Sequence, residues 1–154
     1  GNIYAIDAKW GEKQWQHTTE DVVHSSPTVA ERKLFIGGDD GTVYALDIAS
    51  GDRVWTFDTD GRVWSSPTVA GDLVFVGSND GYLYALDIDS GRRRWMVDTG
   101  DWVDTAPTVV SETVFVVSDD GTVYALGAGV EGASIGSRVN LGTLGHHGGW
   151  TGGQ

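Results

Sequence analysis

The residues able to do chemistry are few, and most recur in a pattern. Acidic pairs stand at Asp39-Asp40, Asn79-Asp80 and Asp119-Asp120, each directly before a glycine. Adjacent carboxylates could act as an acid and base or open a calcium loop, but calcium needs six or more convergent oxygens. An Asp-Gly between apolar runs is first a hairpin turn, and these pairs read as turns. Histidine occurs at 17, 24, 146 and 147. His146-His147 could touch a transition metal loosely, though the spacing gives no tetrahedral set. Arg92-Arg93-Arg94 is the single basic run, placed on an outer strand either to balance acidic neighbours on a solvated face or to form a minor contact patch. No carboxylate departs from the repeated pattern as a catalytic base would. Cysteine is absent, which removes disulfides, thiolate metal sites and thiol nucleophiles.

The seven tryptophans are more telling. Trp15, Trp55 and Trp95 are spaced by 40 residues. Trp64 and Trp102 lie outside that series, and the position 40 before Trp64 is His24. They pack against a neighbouring repeat or contact a partner, a role for which exposed Trp is favoured.

The elements that must position these residues are themselves repeats. Gly1, Gly41, Gly81 and Gly121 open the phrases GNIYAID, GTVYALD, GYLYALD and GTVYALG, at a period of 40. Pro27, Pro67 and Pro107 keep the same register, each followed by Thr-Val, and residues 41–80 share 21 of 40 positions with 81–120. One unit reads as four short strands, in the second repeat near 66–70, 73–77, 82–87 and 92–98. Along the second and third of these, apolar residues point to both faces: Val74 and Val76 oppose Leu73 and Phe75, and Tyr44 and Leu46 oppose Val43 and Ala45. Such strands must be covered on both sides. Proline tolerates an edge, which marks the inner strand, and Trp marks the outer one. Small antiparallel sheets covered on both faces and repeated every 40 residues or so stack as the blades of a β-propeller.

The segment Ala45-Leu-Asp47-Ile-Ala-Ser-Gly51-Asp-Arg-Val-Trp55 has the form Ala-x-Asp-x-x-x-Gly-x-x-x-Trp. It resembles the tryptophan-docking motif of pyrroloquinoline-quinone-like (PQQ-like) repeats, and Ala5…Asp7…Gly11…Trp15 and Ala85…Asp87…Gly91…Trp95 match it too. The fourth copy departs, with Gly127 in place of Asp and no Trp at 135. The resemblance covers about residues 1–126 and implies an all-β fold of four-stranded antiparallel blades. Complete members look like eight-bladed rings, so this chain would hold three and a half to four blades, about half a ring. The family includes quinoprotein alcohol dehydrogenases, the outer-membrane β-barrel assembly lipoprotein and repeat domains attached to kinases. Each docking Trp is expected to stack over the next blade, Ala and Gly leaving room for it, while the Asp accepts hydrogen bonds from turn amides.

A quinoprotein site of this family looks like a cofactor stacked between a Trp and an adjacent-cysteine disulfide, beside calcium. With no cysteine that disulfide cannot form, so no catalytic, cofactor-binding or metal-binding residue is expected, and PQQ with calcium is disfavoured. The expected function is a non-enzymatic scaffold for protein–protein interaction, in cell-envelope protein assembly; a vestigial or partial quinone-dependent dehydrogenase and a ligand-sensing domain linked to a kinase are the alternatives. The resemblance alone favours an extracytoplasmic or envelope location.

Charge and glycine divide the chain. Residues 1–126 carry 21 Asp and Glu against 9 Lys and Arg, whereas 127–154 hold 10 of the 23 glycines and one charge of each sign. The domain organisation is therefore repeats over 1–40, 41–80, 81–120 and the start of a fourth at 121–126. A Gly-rich tail follows, with 134–141 as a degenerate closing strand. The acidity repels phosphate backbones and anionic lipid, so neither nucleic acid nor membrane insertion is expected. With 17 Asp and 3 Lys the composition is halophile-like, which predicts salt-dependent folding. A half-ring exposes apolar faces and strand edges. The remainder of a longer chain, a homodimer completing the ring, or a small ring closed by the tail would cover them.

Overall fold

The computed structural model describes residues 1–127. The expectations placed on 128–154, the closing strand and the His146-His147 pair among them, lie outside the described residues. Within the described residues the fold is all-β, with thirteen strands in four antiparallel sheets. Blade I holds only β1 (Asn2–Ile6) and β2 (Lys13–Thr18). Blade II comprises β3 (Thr28–Ala30), β4 (Lys33–Gly37), β5 (Thr42–Asp47) and β6 (Arg53–Asp58). Blade III repeats it with β7 (Thr68–Ala70), β8 (Leu73–Gly77), β9 (Tyr82–Asp87) and β10 (Arg93–Asp98). Blade IV has three strands, β11 (Thr108–Val110), β12 (Thr113–Val117) and β13 (Val123–Gly127).

The inner strand is shorter than the 66–70 reading, because β7 starts at Thr68, one residue past Pro67. The proline carbonyl is used differently: Thr28 Oγ1 donates to the Pro67 carbonyl at 2.6 Å, and Thr68 Oγ1 to that of Pro107 at 2.6 Å. These bonds stitch consecutive blades along their inner strands.

Register explains why both faces are apolar. Phe35, Ala45 and Trp55 form one cross-strand row of blade II, and the ring pairs Phe35–Trp55 and Phe75–Trp95 each lie 5.6 Å apart. This row packs on the opposite face of the next blade, where Val74, Val76, Tyr84 and Leu86 are buried. The same arrangement joins blade III to Val114, Val116, Tyr124 and Leu126 of blade IV. Blade I joins blade II through Ile3 and Trp15 against Leu34, Ile36, Tyr44 and Leu46. Each core is thus an interface between neighbouring blades rather than the interior of any one, as in other solenoid-like arrays.

Candidate functional site

The docking motif places its residues at these interfaces. Trp15 lies over Gly51 and Trp55 over Gly91, so close that a Cβ on either glycine would come within 2.6 Å of the indole. Both glycines also have positive φ, +75° and +70°, which other residues rarely adopt. The indole Nε1 then donates across the interface, Trp15 to the Ile48 carbonyl at 2.9 Å and Trp55 to the Ile88 carbonyl at 3.1 Å. Trp95 packs into the blade III–IV core, but its buried Nε1 finds no acceptor among the described residues.

The motif aspartates organise the turn that carries each socket. Oδ1 of Asp7 accepts from the amides of Lys9 and Trp10, that of Asp47 from Ala49 and Ser50, and that of Asp87 from Asp89 and Ser90. The Ser90 hydroxyl and amide, helped by Arg94, hold the Asp87 carboxyl down at about 2. Amides of Ala49 and Ser50 lower that of Asp47. Arg94 bonds both Asp87 at 3.0 Å and Asp72 at 3.4 Å, so the basic run does meet acidic neighbours.

The acidic pairs sit in the hairpin turns, and the second acid of each has a partner the sequence reading did not identify. Tyr44, Tyr84 and Tyr124 donate to Oδ2 of Asp40, Asp80 and Asp120 at 2.6, 2.6 and 2.7 Å. Burial first, and then Asp40, pushes the Tyr44 phenol up to about 12; burial and Asp80 push Tyr84 upward in the same way. The four-residue spacing in every copy was the available signal. The same holds for Ser25 and Ser65, twelve residues before Gly37 and Gly77, whose amides they receive.

Asp39, the first acid of its pair, faces a different group. Asp39 accepts from Trp64 Nε1 at 2.8 Å and lies 3.8 Å from His24 and 3.9 Å from Arg62. His24, Trp64 and Trp102 form a row of edge-to-face rings, with centroids 6.0 and 6.2 Å apart, and the Arg62 guanidinium lies over Trp64. A cavity of about 330 Å³ opens beside His24 and Trp64. Sequence reasoning singled out Trp64 and Trp102 without seeing that they touch, because they occupy different positions of the repeat. Where the next blade would repeat Trp64 it carries Asp104, whose buried Oδ1 has no partner among the described residues. Burial and then Asp119 raise the Asp104 carboxyl. His17 sits elsewhere, 3.1 Å from the Gly51 carbonyl.

The repeat profile described as outer membrane protein assembly factor BamB matches residues 1–102 and 71–131. This chain belongs to that PQQ-like repeat family. Among solved structures, BamB from Moraxella catarrhalis superposes with a TM-score of 0.75 at 25% identity, over 83% of this chain and 44% of that one. A quinohemoprotein alcohol dehydrogenase from Pseudomonas putida HK5 gives 0.67 at 27% identity, over 76% of this chain and 20% of that one. The computationally designed Ika4 protein gives 0.76 at 23% identity, over 84% and 81%. The PQQ-like chain therefore spans less than half the length of the BamB structure it resembles. No curated protein sequence matches it closely enough to count as a relative.

The PQQ-like resemblance raises the question of a quinone and calcium. Among the described residues no three His, Asp or Glu side chains gather to hold a metal ion. The carboxylate nearest the aromatic row, Asp39, is committed to Trp64. The described residues therefore do not fit a quinone held beside calcium.

Proposed function

We propose that this PQQ-like chain is a non-enzymatic binding module for protein–protein interaction, acting in cell-envelope protein assembly as the BamB family is named for doing. The observation that carries the reading is the aromatic row, which ends in Trp102, 48% exposed, and whose His24 and Trp64 line an open cavity. An exposed Trp on a fixed platform is the side chain most able to anchor a partner. The Asp39–Trp64 bond holds that platform in place before any partner arrives, which reduces the ordering cost of association. A photo-crosslinking residue at 102, compared with one at Trp10, 70% exposed in the Asp7–Gly11 turn, tests it in extract of the native cell. A protein captured at 102, absent at 10 and lost on Trp64→Ala, supports the reading; no captured species at 102 overturns it.

The dehydrogenase similarity at 27% identity is the observation behind a second reading, a partial quinone-dependent dehydrogenase. Turnover of an alcohol with added quinone, calcium and a dye acceptor would establish it in place of the first.

A further inference from the structure

We propose that the partner met at Trp102 is a basic protein segment, one of whose arginine side chains lies against the Trp102 indole and pairs with Asp104 and Asp119. The inference rests on the binding-module reading and names the chemistry of the partner at that site.

The same backbone frame recurs at this end of blades II, III and IV. The hairpin amide of Asp39 donates to the Val22 carbonyl at 2.8 Å, that of Asn79 to Arg62 at 2.9 Å, and that of Asp119 to Trp102 at 2.9 Å. Val22, Arg62 and Trp102 are therefore equivalents, as are His24, Trp64 and Asp104, each two residues further on. Only the side chains on the frame differ from blade to blade.

One cation is already recognised on this frame, and the chain itself supplies it. The Arg62 guanidinium lies over Trp64, 5.8 Å from the ring centroid, and its Nε is 3.9 Å from Asp39. His24 stands 3.8 Å from the same carboxylate, which also accepts the Trp64 indole proton. Asp39 thus has two basic groups and an indole donor around it.

Blade IV keeps the carboxylate and gains an indole but has no cation. Asp119 takes the place of Asp39, and Asp104 takes the place of His24, so two acids stand where blade II sets a histidine toward an aspartate. Neither Asp104 nor Asp119 forms an ion pair among the described residues. Burial, and after it Asp119, raises the Asp104 carboxyl, whose buried Oδ1 has no hydrogen-bond partner among them. No lysine or arginine occurs between Arg94 and Arg138, a stretch that carries Asp98, Asp101, Asp104, Glu112, Asp119 and Asp120.

Like charges held together disfavour each other, and a cation brought between them relieves the repulsion. A guanidinium suits the place better than an ammonium, since it stacks on an indole and offers a planar fork of donors to carboxylates. An ion pair this close to solvent contributes little alone. The cation therefore arrives on a segment long enough to reach the rest of the row, where His24 and Trp64 line a cavity of about 330 Å³. The net charge of −12 draws such a segment in from a distance.

The test uses the full chain and two synthetic peptides of five Arg-Gly or five citrulline-Gly repeats, which match in shape and differ in charge. Calorimetric titration should show the arginine peptide binding at least about tenfold tighter than its citrulline counterpart. Asp104→Asn combined with Asp119→Asn should weaken it about tenfold, and Trp102→Ala about threefold. Asp52→Asn combined with Glu12→Gln removes the same charge from the turns that follow β5 and β1, and should change affinity by less than about twofold. The inference is overturned if the arginine peptide does not bind, if both peptides bind alike, if both pairs of substitutions weaken binding equally, or if Trp102→Ala binds as the unaltered chain does. Crosslinking at 102 reports separately on the binding-module reading: a protein captured there alongside any of those four results leaves that reading standing and removes this one.

Discussion

Trp55 lies flat against Gly91, thirty-six positions away in the next blade, and hands its indole proton to the carbonyl of Ile88 at 3.1 Å. The two residues act as knob and socket, so each is expected to matter only while the other is intact. Trp55→Ala should cost about 3–5 kcal/mol, the usual range for an aromatic lost from a core. Gly91→Ala should displace the ring and strain a φ of +70°. Once Trp55 is already alanine, the added cost of Gly91→Ala should shrink to the backbone part, about 1 kcal/mol. Denaturant midpoints of the two single variants and the double variant check this; strict additivity would remove the knob-and-socket account.

Acid should weaken the turns that carry the sockets. The folded Asp87 carboxyl sits at about 2, and an unfolded aspartate titrates near ~3.9. Its contribution is therefore complete above the unfolded value and is lost as pH falls through the folded one. Asp47 shifts in the same direction. Thermal midpoints should hold steady down to about pH 4 and then decline toward pH 2, and Asp87→Asn should flatten part of that decline.

Asp104 should behave in the opposite sense. Its carboxyl is raised by burial and by Asp119, and one oxygen has no partner among the described residues. The ionised form is thus disfavoured in the fold at neutral pH. Asp104→Asn is expected to stabilise by on the order of 0.5–1 kcal/mol at pH 7. The gain should vanish below about pH 4, where the unfolded aspartate is protonated as well. An asparagine variant that melts lower at pH 7 would contradict this.

Salt should stabilise the whole chain. A formal net charge of −12 over 154 residues sets carboxylates against one another, and added ions screen that repulsion. Urea midpoints in molar potassium chloride should exceed those at low salt; equal midpoints would argue against the halophile-like reading.

The period of 40 made the blades legible, since glycine, proline, aspartate and tryptophan recur wherever a turn, an edge, a cap or a knob is needed. The paired faces were legible too, because Val43 and Tyr44 could not both be buried in a sheet with one wet side. What escaped were contacts between positions that are not repeat equivalents. Trp64 reaches Asp39 across 25 residues and a blade boundary, and its ring neighbour Trp102 comes from a different position of the unit. Periodicity compares each residue with its own copies, so it is blind to a bond that one copy makes and the next replaces with Asp104.

The stitch from Thr28 to Pro67 and from Thr68 to Pro107 ties blade II to blade III and blade III to blade IV. Disorder introduced at one terminus must therefore travel inward a blade at a time, like a seam coming undone. Blades II and III, held from both sides, form the most slowly exchanging part of the molecule, and amide protons there outlast those of β1 and β13.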